Sequence, residues 1–159
     1  MSTKRFSIQK LREARLEETL NMLIPLYDPH YEVYLRDEIA RGARPNDDQR
    51  TTFIAVSDDG RVAGAVQILL NYVNTETYDL IWLSVGEDFK GRGLSKLLMA
   101  HAEKHVAEDL LKGQPGTLML ADFTRHENSG SKFYINFGYT EGPLMHDDAP
   151  IMLKILNKK

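Results

Sequence analysis

Residues 77–111 constrain the fold more than any other part of this chain. TYDLIWLSV, a run of β-formers, leads through GEDFKGRG into LSKLLMAHAEKHVAEDLL, whose leucines recur at helical spacing. The unbroken apolar run predicts a central strand buried on both faces. The repeat predicts a helix from near Arg92 to about Leu111, stopped by Gly113. A strand that turns directly into a helix belongs to a sheet with parallel crossovers, so the fold class is α/β, a mixed, partly parallel central sheet flanked by helices.

The turn also carries chemistry. A helix start leaves its first N–H groups without partners, and the helix dipole adds roughly half a positive charge there. Gly91 and Gly93 bring no Cβ and tolerate positive φ, Lys90 and Arg92 add formal charge, and Ser95 can donate a hydroxyl. Such parts make a cradle for a diphosphate, although GRG is also common in plain surface turns. The cradle is of neither familiar kind. Lys96 stands where a dinucleotide fingerprint has its third glycine, and the Gly-Lys-Ser/Thr of a Walker loop is missing.

Around this unit, RFSIQKL alternates as a strand. REARLEETLNMLIPLY places Leu16, Leu20, Leu23 and Ile24 on one helical stripe until Pro25. HYEVYLRDEIARG reads as a second helix closed by Gly42, and Asp59-Gly60 as the turn of a hairpin between TTFIAVS and RVAGAVQILLNYV. GTLMLADF is a further strand, NSGSKFYINFG a short helix stopped by Gly138, and PIMLKIL the last strand. The predicted order is β-α-α-β-β-β-α-β-α-β, with six strands in one domain over residues 1–159.

With 42% hydrophobic and 27% charged residues, the chain reads as globular, and its net charge of −3 argues against a nucleic-acid partner. It has no cysteine, which excludes disulfides, thiolate metal sites and a cysteine nucleophile. The N-terminal residues have no apolar run of signal-peptide length and no later stretch could span a bilayer, so the chain is read as cytoplasmic, without a membrane partner.

Lys90-Gly91-Arg92-Gly93-Leu94-Ser95 resembles the Arg/Gln-x-x-Gly-x-Gly/Ala loop of the GNAT superfamily of acetyl-CoA-dependent N-acetyltransferases. Lysine keeps the charge of the first position and serine the small size of the last. HENSGSKFYINFGYTEG is similar to the last block of that family, through Asn128, Phe133-Tyr134 and Gly138-Tyr139. The likeness covers most of residues 5–156. It implies a GNAT-type fold and transfer of an acetyl group from acetyl-CoA, as co-substrate and with no metal, to a primary amine. The expected partner is a small-molecule amine acceptor, and the family admits a homodimer. Two alternatives stay open: acetylation of a protein lysine or N-terminus, and a non-catalytic acyl-CoA-binding regulatory module.

The resemblance also implies roles. Backbone N–H groups from Gly91 through Arg92, Gly93 and Leu94 to Ser95, helped by Lys90, grip the pyrophosphate. The backbone of Leu83, Ser84 and Val85 holds the pantetheine arm and offers an N–H to the oxyanion, while the side chains of Trp82, Leu83 and Val85 read as core. Asn128 bonds the pantetheine, caps the short helix, or does both. Tyr134 protonates the departing thiolate; its other reading is an aromatic packed beside Phe133 and Phe137. An alkylamine is almost wholly protonated at neutral pH, so a base is needed. Asp79 stands where some family members carry glutamate, and it reads equally as a strand-end carboxylate; Tyr78 and Glu76 are the neighbouring candidates.

The acceptor pocket is expected from the two early helices and a late loop: Tyr27, Asp28, His30, Tyr31, Tyr34, Asp37 and Glu38, with Asp147 and Asp148 across it. Aromatic rings and carboxylates suit a cationic amine. His101 and His105 lie one turn apart on the stripe of Leu94 and Leu98 and read as packed structural histidines rather than zinc ligands. MHDD (Met145 to Asp148) reads as a solvated loop, and no Gly-x-Ser-x-Gly elbow is present.

Overall fold

The computed structural model describes residues 5–47, 49–71, 75–122, 132–146 and 149–159. Seven strands form one mixed sheet in the order β1-β2-β3-β4-β5-β7-β6. They are β1 (Phe6–Lys10), β2 (Arg50–Ser57), β3 (Val62–Leu70), β4 (Thr77–Val85), β5 (Gly116–Ala121), β6 (Thr140–His146) and β7 (Ala149–Leu156). The β4–β5 pair is parallel, whereas β1–β2, β2–β3, β5–β7 and β6–β7 are antiparallel. The helices are α1 (Leu16–Leu23), α2 (Glu32–Gly42), α3 (Leu94–Lys104) and α4 (Lys132–Asn136). No helix among the described residues is long and apolar enough to cross a membrane.

The chain divides into two compact units, Met1–Leu69 with Trp82–Ala102, and Leu70–Ile81 with Glu103–Lys159. In the first, the predicted stripe of α1 is buried through Leu20 and Leu23. It joins Leu35 and Ile39 of α2 and Ile54, Val56, Val62 and Ala65 of the hairpin in one apolar cluster. Beside this cluster a polar contact is sealed in. Glu38 of α2 takes Arg50 of β2 in a two-pronged ion pair, Nε to Oε2 at 2.9 Å and Nη2 to Oε1 at 3.1 Å, with both side chains 4–5% exposed. Glu38 therefore leaves the acceptor pocket expected above: its carboxylate is already neutralised by a partner that sequence distance concealed. Gln67 Nε2 completes the layer, donating to the Glu38 carbonyl at 2.8 Å and to Thr52 Oγ1 at 2.9 Å.

Gly42 permits this approach. A Cβ there would lie 2.0 Å from Thr52 Oγ1 and 2.5 Å from Gln67 Nε2. Alanine elsewhere in a helix gains about 1 kcal/mol over glycine. Here the collision and the disturbed buried hydrogen bonds outweigh that gain, at about 1–3 kcal/mol for an overpacked core. Gly42→Ala is thus expected to lower the melting temperature by several degrees in thermal denaturation; a rise would show that α2 has room to retreat.

In the second unit, β5 is covered by β7 along its whole length, from Gly116↔Leu156 to Ala121↔Ile151. β6 corrects the six-strand expectation. Its sequence, TEGPLMH, carries Gly142 and Pro143, which argue against a strand when read locally, but β6 is the edge of the sheet, where proline is tolerated. Met145 and His146, expected in a loop, pair with Pro150 and Ala149.

Candidate active site

β4, whose residues from Trp82 onward belong to the first unit, is not a regular strand. Trp82 has φ 56°, a left-handed conformation that costs a non-glycine residue about 1–2 kcal/mol. The alternation that buries Tyr78, Leu80 and Ser84 lapses at Trp82, which is half-buried where a buried residue is due. The strand expected to be buried on both faces is therefore interrupted, as at a bulge. Sequence gave no warning, because tryptophan is a good strand former. The irregularity is held from several sides. The Tyr27 ring meets the indole edge-on at 5.0 Å, the Tyr34 ring is tilted against it at 6.0 Å, and the Tyr27 hydroxyl is hydrogen-bonded to Ser84 Oγ. Burial pushes the Tyr27 phenol above its usual range.

Beyond β4, Gly86 donates to the Ala63 carbonyl at 2.8 Å, a short 3-10 turn covers Glu87–Phe89, and the chain enters α3 through the expected loop. Lys90 is extended at φ −62°, Gly91 is at φ 76°, and Gly93 is at φ 74°. Positive φ at both positions is backbone that glycine adopts without strain. A Cβ built on either glycine would meet nothing within 4 Å, so the side from which a ligand would approach is open. The first helical bond runs from Leu97 N–H to the Gly93 carbonyl, leaving the N–H groups of Leu94, Ser95 and Lys96 at the head of an 11-residue helix. Lys90 Nζ rests on Glu87 Oε1 at 2.7 Å, an exposed pair that a competing anion can displace. The Arg92 guanidinium stands 5.7 Å from the Phe89 ring centre.

Of the expected acceptor residues, Tyr27 and Tyr34 join Trp82, read from sequence as core, in the aromatic group just described. The His30 and Tyr31 rings lie 3.9 Å apart at a 39° tilt in the 3-10 turn Pro29–Tyr31, where Asp28 accepts from the His30 N–H at 3.1 Å and bonds its Nδ1 at 2.6 Å. Asp28 is therefore committed to the turn, and the His30 amide and ring hold its carboxyl below the usual range. Asp147, Asp148 and Asn128 lie outside the described residues.

In the second unit, the parallel ladder between β4 and β5 covers only Thr77 to Asp79. Asp79 is half-buried, and both its oxygens accept from Asn71 Nδ2 at 3.2 Å. Burial raises its carboxyl above the usual range and outweighs the opposing effect of the Asn71 amide. Asn71 was not anticipated, although its place eight residues ahead of Asp79 across the β3–β4 connection was available as a signal. Of the alternatives, Tyr78 is buried with its phenol pushed up, unsuited to accept a proton, and Glu76 is exposed.

Tyr134 is buried in α4, edge-on to Phe133 at 5.2 Å and to Tyr139 at 6.2 Å. Tyr139 N–H closes back on the Tyr134 carbonyl at 3.1 Å. Lys154 of β7 donates to the Phe137 carbonyl at 2.6 Å and to Glu103 Oε2 at 2.9 Å, placing a cation at the carbonyl end of the helix that presents Tyr134. The Tyr139 phenol, buried and facing Glu103, is pushed far above its usual range and stays protonated. Past Lys104, α3 widens into a π-helix, His105–Leu110, in which His105 Nδ1 bonds Asp109 at 2.9 Å. His101 packs against the Phe53 ring at 4.6 Å. Among the described residues, no cluster of three or more histidines and carboxylates is placed to hold a metal ion.

The same fold occurs widely. A putative GNAT-family acetyltransferase from Desulfovibrio desulfuricans superposes with a TM-score of 0.72 at 17% identity, covering 94% of this chain and 98% of that one. An aminoglycoside 6'-N-acetyltransferase complexed with coenzyme A gives 0.72 at 17% identity, over 94% and 96%. Spermidine N-acetyltransferase from Vibrio cholerae, in complex with CoA and spermine, gives 0.69 at 15% identity, over 96% of each chain. No curated protein matches by sequence. The family model for the acetyltransferase (GNAT) family, however, matches residues 11–139, which include the glycine loop, the interrupted strand and Tyr134. This chain belongs to the GNAT acetyltransferase family.

Proposed function

We propose that this protein transfers an acetyl group from acetyl-CoA to the primary amine of a small molecule, by direct attack and without a covalent enzyme intermediate. The observation that carries the reading is the loop at the head of α3, where two left-handed glycines with open space beside them precede a full-length helix. Its donors suit a diphosphate. In this assignment the N–H groups from Gly91 to Ser95 hold the pyrophosphate, with Lys90 and Arg92 adding charge. The backbone of Leu83, Ser84 and Val85 holds the pantetheine arm, and Asn128 adds a further bond to it. Two of the fold relatives act on polyamine-like or aminoglycoside substrates, and the rings of Tyr27, His30, Tyr31 and Tyr34 suit a cationic acceptor of that kind.

The chemistry then balances with two side chains. Asp79 takes a proton from the ammonium, directly or through water, and frees the lone pair that forms the new C–N bond. As the C–S bond breaks, Tyr134 gives its phenolic proton to the sulfur, and the proton that the newly acylated nitrogen still sheds passes through solvent to restore the phenol. A backbone N–H of β4 carries the negative charge that gathers on the carbonyl oxygen in between.

Thiol release from acetyl-CoA, measured against a panel of small diamines, polyamines, aminoglycosides and lysine peptides, tests this reading. Release with small amines supports it. Release with peptides alone assigns the protein to protein acetylation, and acetyl-CoA binding without any release makes it a binding module.

The raised Asp79 carboxyl makes a separate prediction. A base must be ionised to act, so the acid limb of kcat/KM is expected above the ordinary aspartate value of 3.8. Asp79→Asn should abolish that limb and lower kcat by about 10²-fold. The sign for stability is opposite. A group that binds its proton more tightly when folded costs stability as pH rises from the unfolded value through the folded one, and that loss persists above both. The asparagine variant should therefore melt higher than the parent at pH 7. An acid limb unchanged in the variant would transfer the role of base elsewhere.

A further inference from the structure

Tyr27 reads from sequence as a ring for the acceptor, but its hydroxyl points to a different task. Ser84 Oγ lies 3.1 Å from the Trp82 carbonyl oxygen and is also bonded to the Tyr27 hydroxyl. A carbonyl can only accept, so the serine hydrogen is committed to Trp82. The tyrosine hydrogen must then go to the serine oxygen. The result is a chain of fixed polarity: Tyr27 O–H donates to Ser84 Oγ, and Ser84 O–H donates to the Trp82 carbonyl. Such chains polarise one another and gain in rigidity.

The chain ends on the one residue of β4 whose backbone is left-handed. Its surroundings leave that peptide little freedom. The Tyr27 ring bears on the indole, and Tyr27 itself is fixed where the 3-10 turn Ile24–Leu26 ends, its N–H bonded to the Ile24 carbonyl at 3.2 Å. From the neighbouring strand, Gly64 brings its backbone so close that a Cβ would lie 2.8 Å from the Ser84 carbonyl oxygen. A left-handed residue turns the following amide out of the direction a regular pleat would give it.

We propose that Tyr27 and Ser84 are positioning residues: through the Trp82 carbonyl they fix the Trp82–Leu83 peptide, so that the Leu83 N–H is aimed at the carbonyl oxygen of the bound thioester. The inference rests on the acetyl-transfer reading above. It gives Tyr27 a part in the rate of the chemical step, whereas a residue that only contacts the acceptor would act on acceptor binding.

Tyr27→Phe keeps the ring and removes the hydroxyl, and Ser84→Ala removes the link. Each is expected to lower kcat by about tenfold, with KM for acetyl-CoA and for the amine within about twofold of the parent, since an aimed donor acts on the transition state. The double variant should be no slower than Ser84→Ala, because both changes cut one chain. A raised amine KM with unchanged kcat in Tyr27→Phe would make the hydroxyl, like the ring, a contact for the acceptor alone and overturn the proposal, as would additive losses in the double variant. Trp82 is the sole tryptophan, so its emission maximum and near-ultraviolet circular dichroism report on this site without any catalysis. Both should change in Tyr27→Phe and Ser84→Ala; identical spectra overturn the relay. If the parent releases no thiol with any amine while these spectra do respond, the acetyl-transfer reading has failed, and with it the catalytic part of the proposal, while the relay itself stands.

Discussion

Replacing Tyr134 by phenylalanine is expected to lower kcat by about two orders of magnitude and to leave the KM for acetyl-CoA nearly unchanged. Positioned proton donors contribute roughly 10²–10⁴-fold, and the low end suits a step that water can partly serve. The substitution keeps the ring and its packing. Tyr134 is buried by its ring contacts with Phe133 and Tyr139, and phenylalanine preserves both. α4 should remain closed, because the bonds that close it come from backbone and from Lys154. A loss confined to kcat is the signature of an interaction made in the transition state. Steady-state kinetics with the best amine of the panel checks it, and unchanged turnover would remove the proton-donor assignment.

What could be read in the sequence, and what could not, divides by the range of the interactions. The α1 stripe, the Asp59-Gly60 hairpin and the glycine loop are local signals, and each forms where expected: Gly60, Gly91 and Gly93 all adopt positive φ. The acidic face of α2 misled. Asp37 and Glu38 look alike in sequence, but Glu38 is consumed by Arg50 twelve residues away on β2, a pairing that only the packing of α2 on the sheet reveals. Asp79 was legible as a carboxylate at the start of β4. Its raised proton affinity was not, since that comes from burial, which prevails over the opposing Asn71 amide. The edge strand β6 hid behind Gly142 and Pro143, whose meaning changes with position in the sheet. Trp82 hid for the opposite reason: a residue that favours strands adopts a left-handed backbone, with the Tyr27 ring of a distant segment packed on its indole.

Gly93→Asp is the counterpart of the Tyr134 change, expected to raise the KM and Kd for acetyl-CoA by about two orders of magnitude with a much smaller effect on kcat at saturation. Two costs add at this position. An L-residue at φ 74° bears a backbone strain of about 1–2 kcal/mol, although aspartate tolerates the left-handed region better than most. Space is not the obstacle, for a Cβ at Gly93 meets nothing within 4 Å in the free protein. The larger cost appears only with ligand. The carboxylate would stand among the N–H groups at the head of α3, compete for them as an internal cap, and repel a diphosphate by like charge. An internal cap stabilises the free helix, so the melting temperature should fall little, and the defect should ease as salt screens the repulsion. Gly93→Ala separates the two costs, since it keeps the strain without the charge and should lose far less affinity. Calorimetric titration with coenzyme A decides the matter: equal Kd values for Gly93→Asp and the parent would mean that the diphosphate is held elsewhere.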